Sequence, residues 1–239
     1  MASQHTVILG GSSGIGLATA RLLLEQSFQV TITGRDEQRL ASAKQTLGGN
    51  VSVIRADASA ADGLREFYSR VGSFDHLVLA LGSGKGGGPF ASVSVADVRH
   101  GFEEKVYPHF ASAQAALPFL RKDGSITFVA AVSAHWAMPG SAGLGSANAA
   151  VTALVPILAA ELRPLRVNAV SPGVIDTPWW DFLDATQKAS AFSDYAAKTP
   201  VGRVGRPDDI AQAIGFLVCN GFTTGQTLIC DGGLRLAGF

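Results

Sequence analysis

The sequence predicts a doubly wound α/β fold, with a seven-stranded parallel sheet and helices on both of its faces. Two observations support this prediction. Short runs of β-branched and apolar residues alternate with helical patterns along the chain, and strands that alternate with helices at this spacing form parallel sheets covered on both sides. A glycine-rich turn also follows the first apolar run directly, where the first strand gives way to the first helix.

Each predicted strand is a short run rich in Val, Ile, Leu or Thr that ends near turn residues. The strands are predicted at 6–10, 29–33, 51–55, 75–80, 125–131, 165–170 and 226–230. The helices are predicted at 15–27, 36–47, 60–71, 94–120, 142–161 and 207–218. The remaining stretch, 171–206, is predicted to be irregular. Because long loops in compact domains usually bind ligands, we expect a substrate lid around 176–206.

Composition narrows the class of protein. The 239 residues are 47% hydrophobic and 16% charged, which predicts a single folded domain over 1–239. The formal net charge is zero, so neither a nucleic acid nor a membrane surface is expected as a partner. Cys219 and Cys230 have no neighbours typical of a metal site, and two cysteines favour a reducing compartment. The N-terminus does not resemble a signal peptide, so we expect a cytoplasmic protein.

The glycine-rich turn, LGGSSGIG at 9–16, predicts an anion site. Gly10, Gly14 and Gly16 allow a sharp turn and a close approach of a pyrophosphate to the free N–H groups that open the first helix. Glycines alone also occur in ordinary strand–helix turns. Their place after the first strand favours the Rossmann type of fold, in which this turn binds a dinucleotide.

The residues after the second strand indicate which dinucleotide is bound. An acidic residue there holds the ribose 2′-hydroxyl of NAD, whereas an arginine accommodates the 2′-phosphate of NADP. Arg35 comes first, with Arg39 one turn later, so NADP(H) is favoured over NAD(H). The alternative is that Arg35 is a solvated loop charge and that Asp36 only caps the next helix.

Taken together, these features resemble the short-chain dehydrogenase/reductase family, from Val7 to Leu234. The segments that carry the resemblance are GGSSGIG (10–16), RVNAVSPGVIDTP (166–178), GRVGRPDDIAQAIGFL (202–217) and GQTLICDGG (225–233). The resemblance implies a hydride-transferring oxidoreductase. It also implies cofactor contacts from Gly10, Ser12, Ser13, Gly14, Ile15, Gly16, Arg35, Asp57, Ala58, Gly82, Pro172, Gly173, Ile175 and Thr177. Among these, Asp57 would contact adenine, and Pro172 and Gly173 would shape the nicotinamide pocket.

The chain departs from the family at the catalytic positions. The family uses a tyrosine as proton donor and a lysine four residues later, and those positions align with Leu144 and Asn148. The family's serine aligns with Ala131, and its helix asparagine aligns with Lys105. The chain contains Tyr68, Tyr107 and Tyr195, and none has a lysine four residues later.

Three interpretations of the altered site follow. In the first, Lys105 or His135 polarises a carbonyl group, Ser133 assists, and Asn148 holds the nicotinamide ribose while the cofactor supplies hydride. In the second, the protein binds NADP(H) without reductase activity, as a sensor, scaffold or subunit. In the third, it is an isomerase or lyase on the same fold.

Two further patterns bear on substrate and assembly. Trp179 and Trp180 predict either an aromatic substrate wall or a packed lid, and the aromatic residues of 176–200 favour an apolar or aromatic substrate. Between Ser141 and Glu161 the helical stretch carries no charge, and a helix that is apolar all round is buried on more than one side. We expect a homodimer or homotetramer through the helices around 94–120 and 142–161, as the family resemblance also implies.

Overall fold

The computed structural model describes residues 3–237, without the side chains of residues 61 and 62. Seven parallel strands form one sheet in the order β3-β2-β1-β4-β5-β6-β7. The strands are β1 (His5–Leu9), β2 (Gln29–Gly34), β3 (Val51–Arg55), β4 (Phe74–Leu79), β5 (Leu120–Val129), β6 (Arg166–Pro172) and β7 (Thr227–Cys230). The predicted fold class is confirmed.

The described residues also form seven α-helices, and all of them except the sixth contribute to the cores on the two faces of this sheet. They are α1 (Gly14–Glu25), α2 (Glu37–Leu47), α3 (Ala61–Val71), α4 (Val95–Ala116), α5 (Ala142–Glu161), α6 (Ala185–Lys198) and α7 (Pro207–Cys219). Alternate strand residues face opposite sides of a sheet. On β1, Val7 and Leu9 therefore pack in the core with α3, α4 and α5, whereas Ile8 packs in the core with α1, α2 and α7.

The strand order positions the functional site. The chain runs outward from β1 through β2 to β3, and then returns to place β4 on the other side of β1. The connections that leave β1 and β4 therefore diverge to opposite faces. Ligands of open α/β sheets bind in the crevice that this divergence opens at the carboxyl ends of the strands.

The fourth helix is shorter than predicted, and the fifth strand begins earlier. The prediction gave a helix over 94–120 and a strand over 125–131, but α4 ends at Ala116 and β5 begins at Leu120. Leu117 caps the helix with φ and ψ angles of −52° and −40°, which are still helical. Pro118 comes next, and because proline has no backbone N–H it cannot donate the next helical hydrogen bond. The register of β5 against β4 shifts between Phe74 and His76, so the early part of β5 lacks a regular strand pattern.

The stretch predicted to be irregular, 171–206, contains regular structure. Its first residues complete β6, a short 3₁₀ helix spans Pro178–Trp180, and α6 occupies fourteen residues. The start of α6 is a capping box, in which the Asp184 side chain accepts from the backbone N–H of Gln187 and the Gln187 side chain accepts from the backbone of Asp184. The Asp184-x-x-Gln187 spacing is a local sequence signal for the start of a helix.

Among the described residues, α5 is the one helix that meets the length and composition expected of a membrane span. It packs against α4 and β6, and Val151 and Val155 on its inner face are fully buried. The core of a layered α/β fold accounts for that apolar face. Its outer face is not covered within one chain, since Ile157 remains 58% exposed.

The register shift between β4 and β5 generates a stability prediction. A Cβ atom at Gly124 would overlap the carbonyl oxygen of Asp75, so Gly124→Ala should force the two strands apart. We expect a loss of about 1–3 kcal/mol or more in the free energy of unfolding by urea. Gly49→Ala is the matched control, because nothing lies within 4 Å of its new methyl group. Equal stability of the two variants would contradict the register.

Candidate active site

A cleft of about 1070 Å³ lies at the carboxyl ends of the strands. Residues that follow β1, β2, β3, β4, β5 and β6 all contribute to its wall. Every residue predicted to contact the cofactor lines it. The size is that of a site for a large ligand, and the wall divides into a glycine turn, an adenosine end and a catalytic end.

The glycine turn forms a backbone cradle at the start of α1. Gly10 and Gly14 have φ angles of 81° and 51°, a region that side chains disfavour. A Cβ atom at Gly16 would overlap the carbonyl oxygen of Gly10. Ser13 occupies the N-cap of α1 without a side-chain cap hydrogen bond, and the first turn holds no acidic residue. The first N–H groups of α1 are therefore left for an anion.

The adenosine end of the cleft contains two arginines and two aspartates, which differ in whether their side chains are already hydrogen-bonded. Arg35 and Arg39 are exposed and line the wall. The carboxylate of Asp36 is engaged at the N-cap of α2, where it accepts from the backbone N–H groups of Gln38 and Arg39 at 2.9 and 3.0 Å. Asp36 is therefore occupied as a cap, which leaves Arg35 as the first group available to a ribose substituent.

Asp57 also lines the adenosine end, next to Ala58. Burial raises the pKa of its carboxyl group, but hydrogen bonds from the hydroxyl and backbone N–H of Ser59 outweigh that effect, and the net pKa is lowered. The nearby charge of Arg35 acts in the same direction. Asp57 is therefore an ionised hydrogen-bond acceptor at neutral pH.

The lid covers the other end of the cleft. The indole N–H of Trp179 donates to the carbonyl oxygen of Ser83 at 3.2 Å, which connects the lid to the loop after β4. Trp180 donates to the carbonyl oxygen of Ile175 at 3.0 Å and packs against Tyr195, with ring centroids 5.9 Å apart. Trp179 and Trp180 therefore line the cleft and also hold the lid in place through these contacts.

Lys105 lies at the floor of the cleft and is the one buried lysine or arginine among the described residues. Its Nζ donates to the carbonyl oxygens of Leu81 and Val129, both at 2.7 Å. Val129 is the last residue of β5, and Leu81 lies in the loop just after the carboxyl end of β4. Burial without a carboxylate partner lowers the pKa of Lys105 to about 7, which is the range suited to a general acid or base at neutral pH.

Asn148 and Ser133 form a polar pair beside Leu144. The side-chain amide of Asn148 donates to Ser133 Oγ at 3.2 Å and to the carbonyl oxygen of Leu144 at 3.0 Å. Its Oδ1 is buried, and no partner for that atom exists among the described residues. Leu144, at the family's tyrosine position, lines the same wall. An unpaired amide oxygen at this place fits a ribose hydroxyl donor.

His135 is the predicted catalytic residue that the structure does not bring to the cleft. Its side chain is exposed and is not part of the cleft wall. The 3₁₀ turn Val132–Ala134 directs Ser133 into the cleft and leaves the next residue on the outer surface. The structure thus corrects the prediction that His135 polarises a carbonyl group.

Some residues of the cleft were not anticipated as site residues. Trp136, Met138 and Tyr195 line its catalytic end. Of the other tyrosines, Tyr68 is fully buried in the core, where desolvation raises its pKa, and Tyr107 is 60% exposed on α4. No sequence motif marks Tyr195 as a cleft residue, because α6 itself was not predicted.

The fold and cleft define the class of protein: an α/β dinucleotide-binding protein with a cradle for a pyrophosphate. The family model described as enoyl-(acyl carrier protein) reductase matches residues 10–235. The chain is 30% identical to a 3-oxoacyl-(acyl-carrier-protein) reductase FabG of Chlamydia pneumoniae, over 98% of both chains. The chain belongs to the short-chain dehydrogenase/reductase family.

Other members of the family show a range of substrates. A cis-4-hydroxycyclohexanecarboxylate dehydrogenase of Sinomonas cyclohexanicum is 32% identical over 97% of this chain and 96% of its own. Among solved structures, an NADPH-bound short-chain oxidoreductase from Pseudomonas aeruginosa PAO1 is described as containing an atypical catalytic center. It superposes with a TM-score of 0.90 at 30% identity and covers 98% of both chains.

The adenosine end generates a prediction about nucleotide preference. Replacing Arg35 with alanine should weaken NADPH binding about tenfold to 10²-fold, because a charge-assisted contact to the 2′-phosphate is lost. NADH lacks that phosphate, so its affinity should not change. A fluorescence titration with each nucleotide measures both effects. Lys44→Ala, at an exposed position on α2, is the control. Equal losses for the two nucleotides would contradict the assignment.

Proposed function

We propose that this protein is an NADP(H)-dependent oxidoreductase that reduces a carbonyl group of a small apolar or aromatic substrate, with Lys105 as the proton donor. The observation that carries the proposal is the buried ammonium of Lys105 on the floor of the cleft, with a pKa near 7. It supplies an acid in a site that lacks the tyrosine and lysine of the family.

The residues present fit the cofactor. The glycine cradle offers unpaired N–H groups to a pyrophosphate, and the exposed guanidinium of Arg35 suits a 2′-phosphate. Asn148 Oδ1 offers an unpaired acceptor to a ribose hydroxyl. The NADPH complex of the Pseudomonas aeruginosa relative supports the same choice of nucleotide. When bound, the cofactor supplies the hydride.

The substrate end is lined mainly by apolar groups, including Met138, Leu144, Trp179, Trp180 and Tyr195. Apolar walls with few polar groups orient a substrate through those polar groups. Ser133 is one such group: its Oγ accepts from Asn148, so the hydroxyl hydrogen is free to bind a substrate oxygen.

Lys105 completes the reduction by donating a proton. Two of its three N–H groups bind Leu81 and Val129, and the third is available to the cleft. As hydride reaches the carbonyl carbon, negative charge develops on the oxygen, and the ammonium stabilises it and then transfers a proton. The product is an alcohol, and Lys105 is left as a neutral amine that still makes both hydrogen bonds.

The second candidate function is cofactor binding without turnover. The observation that favours it is that Leu144 and Asn148, which the sequence resemblance aligns with the family's tyrosine and lysine, lie one turn apart on one face of α5. In that case NADPH would bind in the micromolar range and no carbonyl compound would be reduced.

A Lys105→Met variant tests the catalytic role. With trifluoroacetophenone as an activated aromatic probe, we expect kcat/KM to fall about 10²–10⁴-fold, because the general acid is lost, while NADPH binding is retained. In the wild type, kcat/KM should be constant below about pH 7 and fall tenfold per pH unit above it, since only protonated Lys105 donates.

Lys122→Met is the matched control, because Lys122 is exposed on the early part of β5. Unchanged kcat/KM in Lys105→Met would remove the proposed acid. NADPH binding by the wild type without reduction of any aldehyde or ketone tested would support the second candidate function.

We also propose that the protein works in the cytoplasm, where its two free cysteines remain reduced. We further propose that it forms a homodimer through α4 and α5. The two helices pack side by side and present Tyr107, Phe110 and Ile157 outward, with exposures of 60, 48 and 58%. An apolar surface of this kind is typical of an interface between subunits.

Introducing charges on that apolar surface tests the dimer. The double variant Phe110→Glu with Ile157→Glu should be a monomer by light scattering after size exclusion, because two carboxylates cannot be buried unpaired. Phe222→Glu changes a fully exposed residue between α7 and β7 and should leave the α4–α5 dimer intact. A double variant with the wild-type mass would contradict the proposed interface, and a tetramer reduced to a dimer by Phe222→Glu would place a second interface there.

A further inference from the structure

His109 is a buried ionisable residue that the proposed mechanism does not use. It lies on α4 four residues after Lys105, so the two side chains share one face of the helix. Its side chain has no exposed surface, and the ring stacks on Phe128 with centroids 5.9 Å apart. His109 thus lies behind the floor of the cleft, next to the proposed proton donor.

Lys105 and His109 together face four backbone carbonyl oxygens. Nζ of Lys105 lies 2.7 Å from those of Leu81 and Val129. The ring of His109 contacts two more: Nδ1 lies 2.6 Å from the carbonyl oxygen of Lys105, and Nε2 lies 3.2 Å from that of Leu79. A carbonyl oxygen only accepts, so each of the four contacts requires an N–H donor.

The two side chains have four N–H donors in total in either state, and the position of the proton decides how these donors are divided between them. An ammonium has three N–H groups and a neutral imidazole has one. In that state one nitrogen of His109 directs its lone pair at a carbonyl oxygen. A neutral amine has two N–H groups and an imidazolium has two, which supplies a donor to each of the four contacts. Both states carry one positive charge.

A second positive charge is excluded from this pair. Burial and the charge of protonated Lys105 together lower the pKa of His109 to about 3. The effect of Lys105 is present only while Lys105 is itself protonated, so the two titrations are coupled. When Lys105 is neutral, the two carbonyl contacts of His109 favour the imidazolium.

We propose that Lys105 and His109 form one proton-holding unit, in which a single positive charge resides on either side chain and His109 is the positioning residue that sets the protonation state of Lys105. The geometry that supports this is the set of four carbonyl contacts. The catalytic consequence rests on the proposed function, but the shared charge does not.

The unit allows Lys105 to change role without moving. With the charge on Lys105, the third N–H faces the cleft and donates a proton in carbonyl reduction. With the charge on His109, Nζ keeps both hydrogen bonds and presents a lone pair, which accepts the proton of an alcohol in the reverse oxidation. Because the imidazole nitrogens face carbonyl oxygens rather than Nζ, the proton does not pass directly between the two side chains; one side chain releases it to solvent and the other takes one up from solvent.

Nitrogen NMR of the ¹⁵N-labelled full chain tests the shared charge, since ring nitrogen shifts separate imidazolium from neutral imidazole. We record spectra from about pH 5 to about pH 9, on both sides of an ordinary histidine pKa, and assign His109 by its loss in His109→Phe. We expect a measurable imidazolium fraction for His109 at neutral pH, where exposed His135 is already neutral.

Variants that lack the Lys105 ammonium provide a second test of the shared charge. In Lys105→Met, the imidazolium fraction of His109 should be higher than in the wild type at the acidic end of this pH range, because a neighbouring like charge that lowers its pKa is lost. Lys105→Gln, which keeps a donor for the backbone carbonyls, is the second variant in case the first folds poorly. His135 should titrate identically in all forms. The other titratable groups of the cleft wall, such as Glu103, Glu104 and Tyr195, are unchanged in the series.

A His109 ring that stays neutral over the whole range in the wild type and in both Lys105 variants would overturn the proposal. That result would leave Lys105 as the sole acid, and the proposed reductase function would stand. Conversely, a shared charge in a protein that reduces no carbonyl compound would support the unit and contradict the proposed function, because the spectra do not depend on turnover.

Discussion

The two hydrogen bonds from the ammonium of Lys105 to the ends of β4 and β5 are the interaction on which the catalytic half of the site depends. A buried cation without a carboxylate partner is costly, and here backbone carbonyls at the carboxyl edge of the sheet take the place of that partner. They hold Nζ at a fixed point and leave its pKa near neutrality. The parallel sheet thus supplies both the crevice and the acceptors that tolerate a lysine in it.

The two halves of the cleft differ in how closely they follow the family. The cofactor half keeps the backbone features that bind a dinucleotide, namely the positive φ angles of the glycine turn and the uncapped start of α1. In the catalytic half, the sequence resemblance aligns the family's tyrosine and lysine positions with Leu144 and Asn148, and the structure places a buried lysine from α4 in the same cleft. Hydride transfer needs a positioned cofactor and a group that stabilises the developing oxyanion. A group other than tyrosine can stabilise that oxyanion.

Much of the fold and of the cofactor half could be predicted from the sequence, because both follow from local patterns. The strand–helix alternation and the glycine turn each lie within a few neighbouring residues. The predictions that were wrong involved long-range or weak local signals: α4 ended early before Pro118, and α6 was missed although Asp184 and Gln187 cap it. His135 was predicted as a candidate catalytic residue, and the structure places its side chain on the outer surface after a short 3₁₀ turn.

The sequence by itself determined the fold class, the family, the nucleotide cradle and the absence of a tyrosine–lysine motif, since each is encoded in contiguous residues. The tertiary structure decided what replaces that motif. Lys105 is available for the proposed role of acid because α4 brings its Nζ to the carbonyl oxygens of Leu81 and Val129, each twenty-four residues away in the chain. His109 shares its environment because four backbone carbonyls from α4, the loop after β4 and two strands converge behind the cleft, and no local pattern reports such a convergence.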